Sequence, residues 1–288
     1  MDVTIPIDLL RSFVAIADTG SFTQAAERVF RTQSAVSQQM KKLESSVGKS
    51  LFERQGRATR LTREGEAVLA YGRRILSLHD EAVAVIAEPE VKGVVRFGMP
   101  DDFAAKFLPP ILESAVRLYP RLQIEMTCLP TSQLIKAREN EELDVAVISV
   151  RAGLSDVDFL RQEEVFWVTS PKHRAHEETP LPLALFDNTC PCHQNVCTIL
   201  DRAGRNYRLA YSSPSHAGLV CAVQAGIAVS ALAKSALPAG LRVLGVEDGF
   251  PKLAPITLGL MRTNGMGEAA ARFTQHVAQG FSSGAFGV

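Results

Sequence analysis

From Val94 onward, short apolar runs alternate with helical stretches, and this alternation leaves few architectures open. Strand signals at Val94–Met99, Leu122–Cys128 and Leu143–Val150 enclose helical patterns at Phe103–Leu118 and Ser132–Glu141. Repeated strand–helix units predict a parallel sheet with helices on its faces. A second set follows: strands near Val165–Thr169, Leu183–Phe186, Tyr207–Tyr211 and Ile227–Ala231, with helices near Gln194–Ala203 and Ser215–Ala225. Ile256–Met261 reads as a returning strand and 267–280 as a last helix. Two α/β halves joined by a crossing segment enclose a cleft, the usual setting of a small-molecule site. At 288 residues the chain has room for more than this one unit.

The first 90 residues have a different texture. Leu9, Leu10, Phe13, Val14, Ile16 and Ala17 make a helical stripe that Thr19-Gly20 ends. Ser21, with Gln24 three residues on, reads as a capping box that opens a second short helix. Ala25 and Ala26 are small enough to admit a close neighbour. Thr32 then caps a third segment whose Val36, Met40 and Leu43 share one face, while Gln33, Ser34, Ser37, Gln38 and Lys41 project elsewhere. Two short helices joined by a tight turn, the second polar on its free face, read as a helix-turn-helix. A glutamine offers the donor–acceptor pair that fits an adenine edge, and Lys41 and Lys42 suit phosphates. A plain amphipathic helix with a wet face is the alternative. LFERQGRATRLT (51–62) adds a strand, a Gly56 turn and a strand carrying Arg54, Arg57 and Arg60, a basic wing suited to flanking phosphates or a minor groove. Residues 63–88 read as one long helix. Its Val68, Tyr71, Ile75, Leu78, Ala82 and Val85 recur at spacings of three and four, the period of a two-helix seam. Packing on its own domain is the alternative. Residues 87–93, with Pro89 and Gly93, suit a hinge.

Charge supports a polyanionic partner only locally. The whole chain is formally neutral, but Arg28–Arg63 holds nine basic residues against Glu44 and Glu53. No apolar run is long enough to span a bilayer, and MDVTIPIDLLRSF lacks the build of a signal peptide. The expectation is a cytoplasmic protein with no membrane partner. An odd count of five cysteines in a chain this long does not suggest a disulfide framework.

Residues 9–65 resemble the N-terminal signature of LysR-type transcriptional regulators. Phe13, Gly20, Ser21, Ala25, Ala26, Gln33, Ser34, Ser37, Leu43, Glu44, Gly48, Leu51, Phe52, Arg54, Leu61, Thr62 and Gly65 fall in register. GMPDDFAAKFLPPIL and AYSSPSHAGLVCAVQAGIAVSAL are similar to the LrhA-like branch. The resemblance implies an α/β protein with an N-terminal all-α winged helix-turn-helix, and an effector-binding half folded like a periplasmic binding protein with two subdomains. It implies a winged domain over 1–62, a linker or dimerisation helix and hinge over 63–90, and an effector domain over 91–288. Subdomain I would be 91–160 plus 257–288, and subdomain II 161–256. The implied partners are double-stranded promoter DNA, a second or further copies of the chain as homodimer or homotetramer, and RNA polymerase. Thr23, Arg31, Thr32, Gln33, Ser34, Ser37, Gln38, Lys41, Arg54, Arg57 and Arg60 are the implied DNA-binding residues. Val68, Tyr71, Ile75, Leu78, Ala82 and Val85 are the dimerisation candidates.

For the effector, three helix N-termini are expected at the cleft: Pro100-Asp101-Asp102 with Phe103, Thr131-Ser132, and Ser213-Pro214-Ser215, with Cys190 at the rim. In many family members the first carries Ser or Thr and takes a carboxylate. Here two acids stand there, which favours an effector that is neutral or carries an amine. Asp102 as a mere N-cap, and His216 as a packing residue rather than a pocket donor, are the alternatives. CPCHQNVC (190–197) offers a rival reading of the same regulator, sensing redox state or metal through Cys190, Cys192 and Cys197. Its C-x-C-H spacing is cramped for a tetrahedral site, and no cofactor or metal is expected. A phosphate-binding G-x-x-x-x-G-K and an H-E-x-x-H are absent, and catalysis is not expected.

Overall fold

The computed structural model describes residues 4–55, 58–87, 91–151, 153–283 and 286. Arg57, the Gly56 turn, and Pro89 of the expected hinge lie outside the described residues, as do the side chains of Arg54 and Val85. The chain divides into two compact units, the first Met1–Pro89 and the second Glu90–Ser282, with a few C-terminal residues assigned beyond Ser282.

In the first unit, α1 (Ile7–Thr19) and α3 (Gln33–Val47) each stop at a left-handed glycine, Gly20 (φ 65°) and Gly48 (φ 68°). Between them α2 (Phe22–Arg28) starts where the Ser21 hydroxyl accepts a 3.4 Å hydrogen bond from the Gln24 N–H. Thr32 does the same for α3, accepting from Ala35 N–H at 3.2 Å. Ala25 and Ala26 are buried, so α2 sits close among its neighbours, and Phe13, Ile16, Val36, Met40 and Leu43 fill the shared core. β1 (Phe52–Gln55) and β2 (Ala58–Leu61) pair antiparallel, Phe52 opposite Leu61. The wing is tied to α3 by Glu44, whose Oε1 accepts from the N–H groups of Leu51 (2.7 Å) and Phe52 (3.3 Å).

The 25-residue α4 (Arg63–Ala87) leaves the wing at a tight junction. A Cβ on Gly65 would stand 2.1 Å from the Leu51 carbonyl oxygen, so only glycine allows the close approach. Further along, α4 lies against α1 in the same unit, with Gly72 next to Leu10, Leu76 buried, and Arg73 paired with Asp18 at 2.6 Å.

The second unit has two lobes. The first carries β3 (Lys92–Met99), α5 (Asp101–Leu118), β4 (Arg121–Cys128), α6 (Thr131–Glu139), β5 (Val145–Val150) and β6 (Val157–Glu163). The second carries β7 (Val165–Thr169), β8 (Leu181–Leu185), α7 (Pro191–Arg202), β9 (Tyr207–Ser212), α8 (His216–Gln224), β10 (Ser230–Ala233) and β11 (Arg242–Leu244). The chain then returns to the first lobe with β12 (Ile256–Arg262) and α9 (Glu268–Ser283). The first lobe's sheet runs β4-β3-β5-β12-β6. β3 is parallel to β4 and β5, whereas β12 is antiparallel to β5 and β6. In the second lobe, β10-β7-β11 is antiparallel and β8–β9 is parallel. The two small sheets meet at Val229, which bonds to Pro182 and Ala184.

The sheets are therefore mixed, which corrects the expectation of a parallel sheet. Parallel pairs form where a crossover helix joins the strands, and the strand that returns from the other lobe pairs antiparallel. β6 and β11 were not expected from the sequence. β6 is an edge strand that buries only Leu160 and Glu163, so its residues lack the alternation that marks a half-buried strand.

Candidate functional site

Two surfaces carry the chemistry. On the first unit, α3 turns Val36, Met40 and Leu43 inward, and this sets Gln33, Ser34, Gln38 and Lys41 on the exposed face. Thr23, Arg31, Thr32 and Arg60 are exposed too, and Ser37 is half-buried. The Gln33 amide donates a 3.0 Å hydrogen bond to Ser37 Oγ, which orients both side chains. Gln33, Ser37 and Lys41 line one groove with Phe22 of α2 and with Phe52, Glu53 and Thr59 of the wing. Beside it, Phe30 in the turn between α2 and α3 is 96% exposed with a left-handed φ of 54°.

α4 carries two apolar stripes. Val68, Leu69 and Leu76 pack on the core of their own unit. Tyr71, Ile75, Leu78 and Ala82 are exposed. The predicted seam is corrected at Val68, which serves the domain core.

On the second unit, a small cavity opens between the lobes. Its walls come from the N-termini of α5 (Pro100, Asp101, Asp102), α6 (Pro130, Thr131, Ser132) and α7 (Cys190, Pro191), from Ser149 of β5, from Phe186, Asp187 and Thr189, and from Pro214. Side chains bridge the lobes here. Asp101 Oδ2 accepts from His216 N–H at 2.9 Å, and Thr189 Oγ1 donates to Ser132 Oγ at 3.1 Å. Thr131 Oγ1 accepts from Ser149 N–H at 3.1 Å, and Asp187 accepts from Thr189 N–H at 2.8 Å. Desolvation, then the neighbouring Asp101 charge, pushes the Asp102 carboxyl up to about 7. Pro100, not Asp102, holds the N-cap position of α5.

The groups of the cysteine stretch are engaged locally. Burial pushes Cys190 up to about 11 and raises Cys192 well above the usual thiol range. Cys192 Sγ points to the Ala231 carbonyl at 3.5 Å, and His193 Nδ1 is spent on the Phe186 carbonyl at 2.7 Å. Cys197 faces Tyr207, whose hydroxyl it helps to push up to about 12. Among the described residues no group of three His, Cys, Asp or Glu side chains could hold a metal ion. Gly280–Ser283, the start of a G-x-S-x-G string, lies within α9 and not on the strand-to-helix turn that a nucleophile needs.

Comparison with known proteins identifies the family of both units. Residues 7–66 match the model of the bacterial regulatory helix-turn-helix proteins of the lysR family, and residues 89–282 match the LysR substrate binding domain. This chain is a LysR-type regulator. It is similar to the HTH-type transcriptional regulator DgdR of Burkholderia cepacia, 43% identical over 253 residues that span 88% of this chain and 85% of the relative. The HTH-type transcriptional regulator PecT of Dickeya dadantii is 33% identical over 251 residues, 87% of this chain and 79% of that one. In fold it is similar to CrgA of Neisseria meningitidis, with a TM-score of 0.66 at 21% identity over 99% and 100% of the two chains. The family is established by these matches; the LrhA-like branch is not. This LysR-type regulator is a DNA-binding transcriptional regulator with an effector-binding domain, and among its described residues no helix is long and apolar enough to cross a membrane.

Of the regulator's expected effector residues, Pro100, Asp101, Asp102, Thr131, Ser132 and Cys190 line the cavity. Phe103 does not: it is fully buried, 6.4 Å ring to ring from Phe107, because it lies one residue further round α5 and faces the core. Ser213 and Ser215 are corrected as well. Ser213 Oγ accepts from Ser215 N–H at 3.1 Å, so the two brace their own turn and leave Pro214 at the wall. The His216 ring is held below its ordinary range by burial, with Ala236 as its backbone partner, and does not line the cavity. Ser149, Phe186, Asp187 and Thr189 were missed. Asp187 had a signal, an Asp-Asn pair directly after a strand, which marks a turn.

Proposed function

We propose that this regulator binds promoter DNA as an oligomer, with α3 in the major groove, and that a small effector in the lobe cavity alters that binding. The observation that carries the reading is the joint groove of Gln33, Ser37 and Lys41 with the wing. It gives base-reading and phosphate-holding groups one common face. Thr23, Arg31, Thr32, Ser34, Gln38 and Arg60 extend that face, and Arg54 and Arg57 are assigned to DNA from the sequence in this reading. The exposed stripe of Tyr71, Ile75, Leu78 and Ala82 seats the same stripe of a second copy, since a long apolar helix face of this period is satisfied by a partner. Residues 1–62 then act as the DNA-binding domain, 63–90 as the dimerisation helix and hinge, and 91–288 as the effector domain. Such a protein works in the cytoplasm beside RNA polymerase.

The experiment is retardation of the DNA upstream of its own gene by the full chain, with size-exclusion chromatography of the wild type and of Leu78→Glu. The reading expects specific retardation by an oligomer, and a smaller species that binds weakly once Leu78 is charged. A monomeric wild type, or an unretarded fragment, refutes it.

A further inference from the structure

The lobe cavity has a one-signed lining. Asp101, Asp102 and Asp187 face it, and no Lys, Arg or His is among its lining residues. Among the described residues none of the three carboxylates has an ion-pair partner. Asp101 is occupied by a backbone N–H and Asp187 by Thr189, while Asp102 meets only the N–H groups at the start of α5. The other walls mix apolar Phe186, Pro130 and Pro214 with the hydroxyls of Thr131, Ser132, Ser149 and Thr189. The lining leaves the cavity open to solvent, so a small organic molecule can enter it. A bare metal ion is not favoured, because the described acids do not converge into a ligand set.

We propose that the effector of this cavity is a small organic molecule carrying an ammonium group, with its nitrogen seated at Asp102 and its carbon skeleton on the Phe186 side. This rests on the effector reading above and adds the ligand class. An ammonium donates up to three hydrogen bonds and supplies the opposite charge to a lining whose only charge-bearing side chains are acidic. An effector with only a carboxylate would meet like charge on both lobes.

The protonation of Asp102 gives the site a pH signature. A carboxyl held at about 7 is partly protonated at neutral pH, and an ammonium requires its charged form. Facing it are Asp101 on α5, Asp187 before α7, and the Cys190 thiol on α7, which stays neutral below about 11. Affinity for an amine therefore rises from pH 6 to pH 8, well below the range where the amine itself loses its proton.

The test is thermal melting of the full chain with n-propylamine, with alanine and with propionate, at pH 6 and pH 8, beside retardation of the upstream DNA. The amine and the amino acid should raise the melting temperature, more so at pH 8, and propionate should not. Asp102→Asn, whose own melting curve checks folding, should weaken the amine response at least ~10-fold, as for loss of a charge-assisted hydrogen bond. Stabilisation by propionate, an undiminished response in Asp102→Asn, or no response to either nitrogen compound overturns the proposal. If propionate stabilises the protein and alters DNA retardation, the effector reading stands and the ammonium class falls. If ligands stabilise the protein and never alter retardation, the effector reading itself fails.

Discussion

The Asp101 carboxylate accepts the N–H of His216 at 2.9 Å, so the first residue of α5 caps the first residue of α8 in the opposite lobe. Ser215, in the N-cap position of α8, makes no side-chain cap bond of its own. Asp101→Ala should therefore cost the second unit about 1 kcal/mol, the usual worth of a cap. A lowered urea midpoint at unchanged slope is the expected result. An unchanged midpoint would show that the lobes do not depend on this bond.

Phe30 holds a backbone conformation that bulky residues avoid, and its ring touches almost nothing. Asparagine tolerates the same left-handed region. Phe30→Asn should stabilise the first unit by about 1 kcal/mol, since relief of such strain is of that order. The comparison is of chemical denaturation midpoints, and a lower midpoint for the variant contradicts the strain argument.

Gly65→Ala would drive a methyl group into the Leu51 carbonyl. The wing must shift off the start of α4, at a cost of about 1–3 kcal/mol for overpacking. Because the Leu51 N–H is also the anchor for Glu44, DNA retardation should fall with stability. A variant that melts and binds like wild type would show that the junction has slack.

His276 lies 2.8 Å from Ser114 Oγ and edge-on to Tyr119, where burial pushes its pKa down to about 4 from an ordinary value near 6.5. The native state therefore binds fewer protons than the unfolded state between those values. Its contribution is complete above about pH 6.5 and is lost as pH falls towards 4, up to about 3 kcal/mol in all. Urea midpoints of wild type should drop more steeply from pH 7 to pH 4.5 than those of His276→Gln. Parallel pH profiles would remove His276 as the cause.

Gln33→Ala should weaken specific binding by about 1–3 kcal/mol, the worth of a good base contact. It should do so at one operator position, which a base-by-base competition assay resolves. Equal loss at every position would make Gln33 a phosphate contact.

The first unit was legible because its signals are local. Ser21 and Thr32 cap, Gly20 and Gly48 stop, and the three–four spacing of Val36, Met40 and Leu43 fixes which face of α3 is free. The long helix misled at one point, since two apolar stripes interleave at the same spacing and Val68 belongs to the other one. In the cavity, Thr131, Ser132 and Asp102 were legible as helix starts. Thr189 and Ser149 were not, because their place depends on which loops the two sheets bring together. Phe103 shows the limit of reading by adjacency: one step along a helix turns a wall residue into a core residue.

The two stripes of α4 have a mechanical consequence. At about 100° per residue, the face holding Leu69 and Leu76 and the face holding Tyr71, Ile75 and Leu78 stand roughly a third of the circumference apart. Both belong to one rigid rod, and the first is keyed to α1 and the wing junction. A partner seated on the outer face would therefore bear on the same helix that holds α1 and the wing junction.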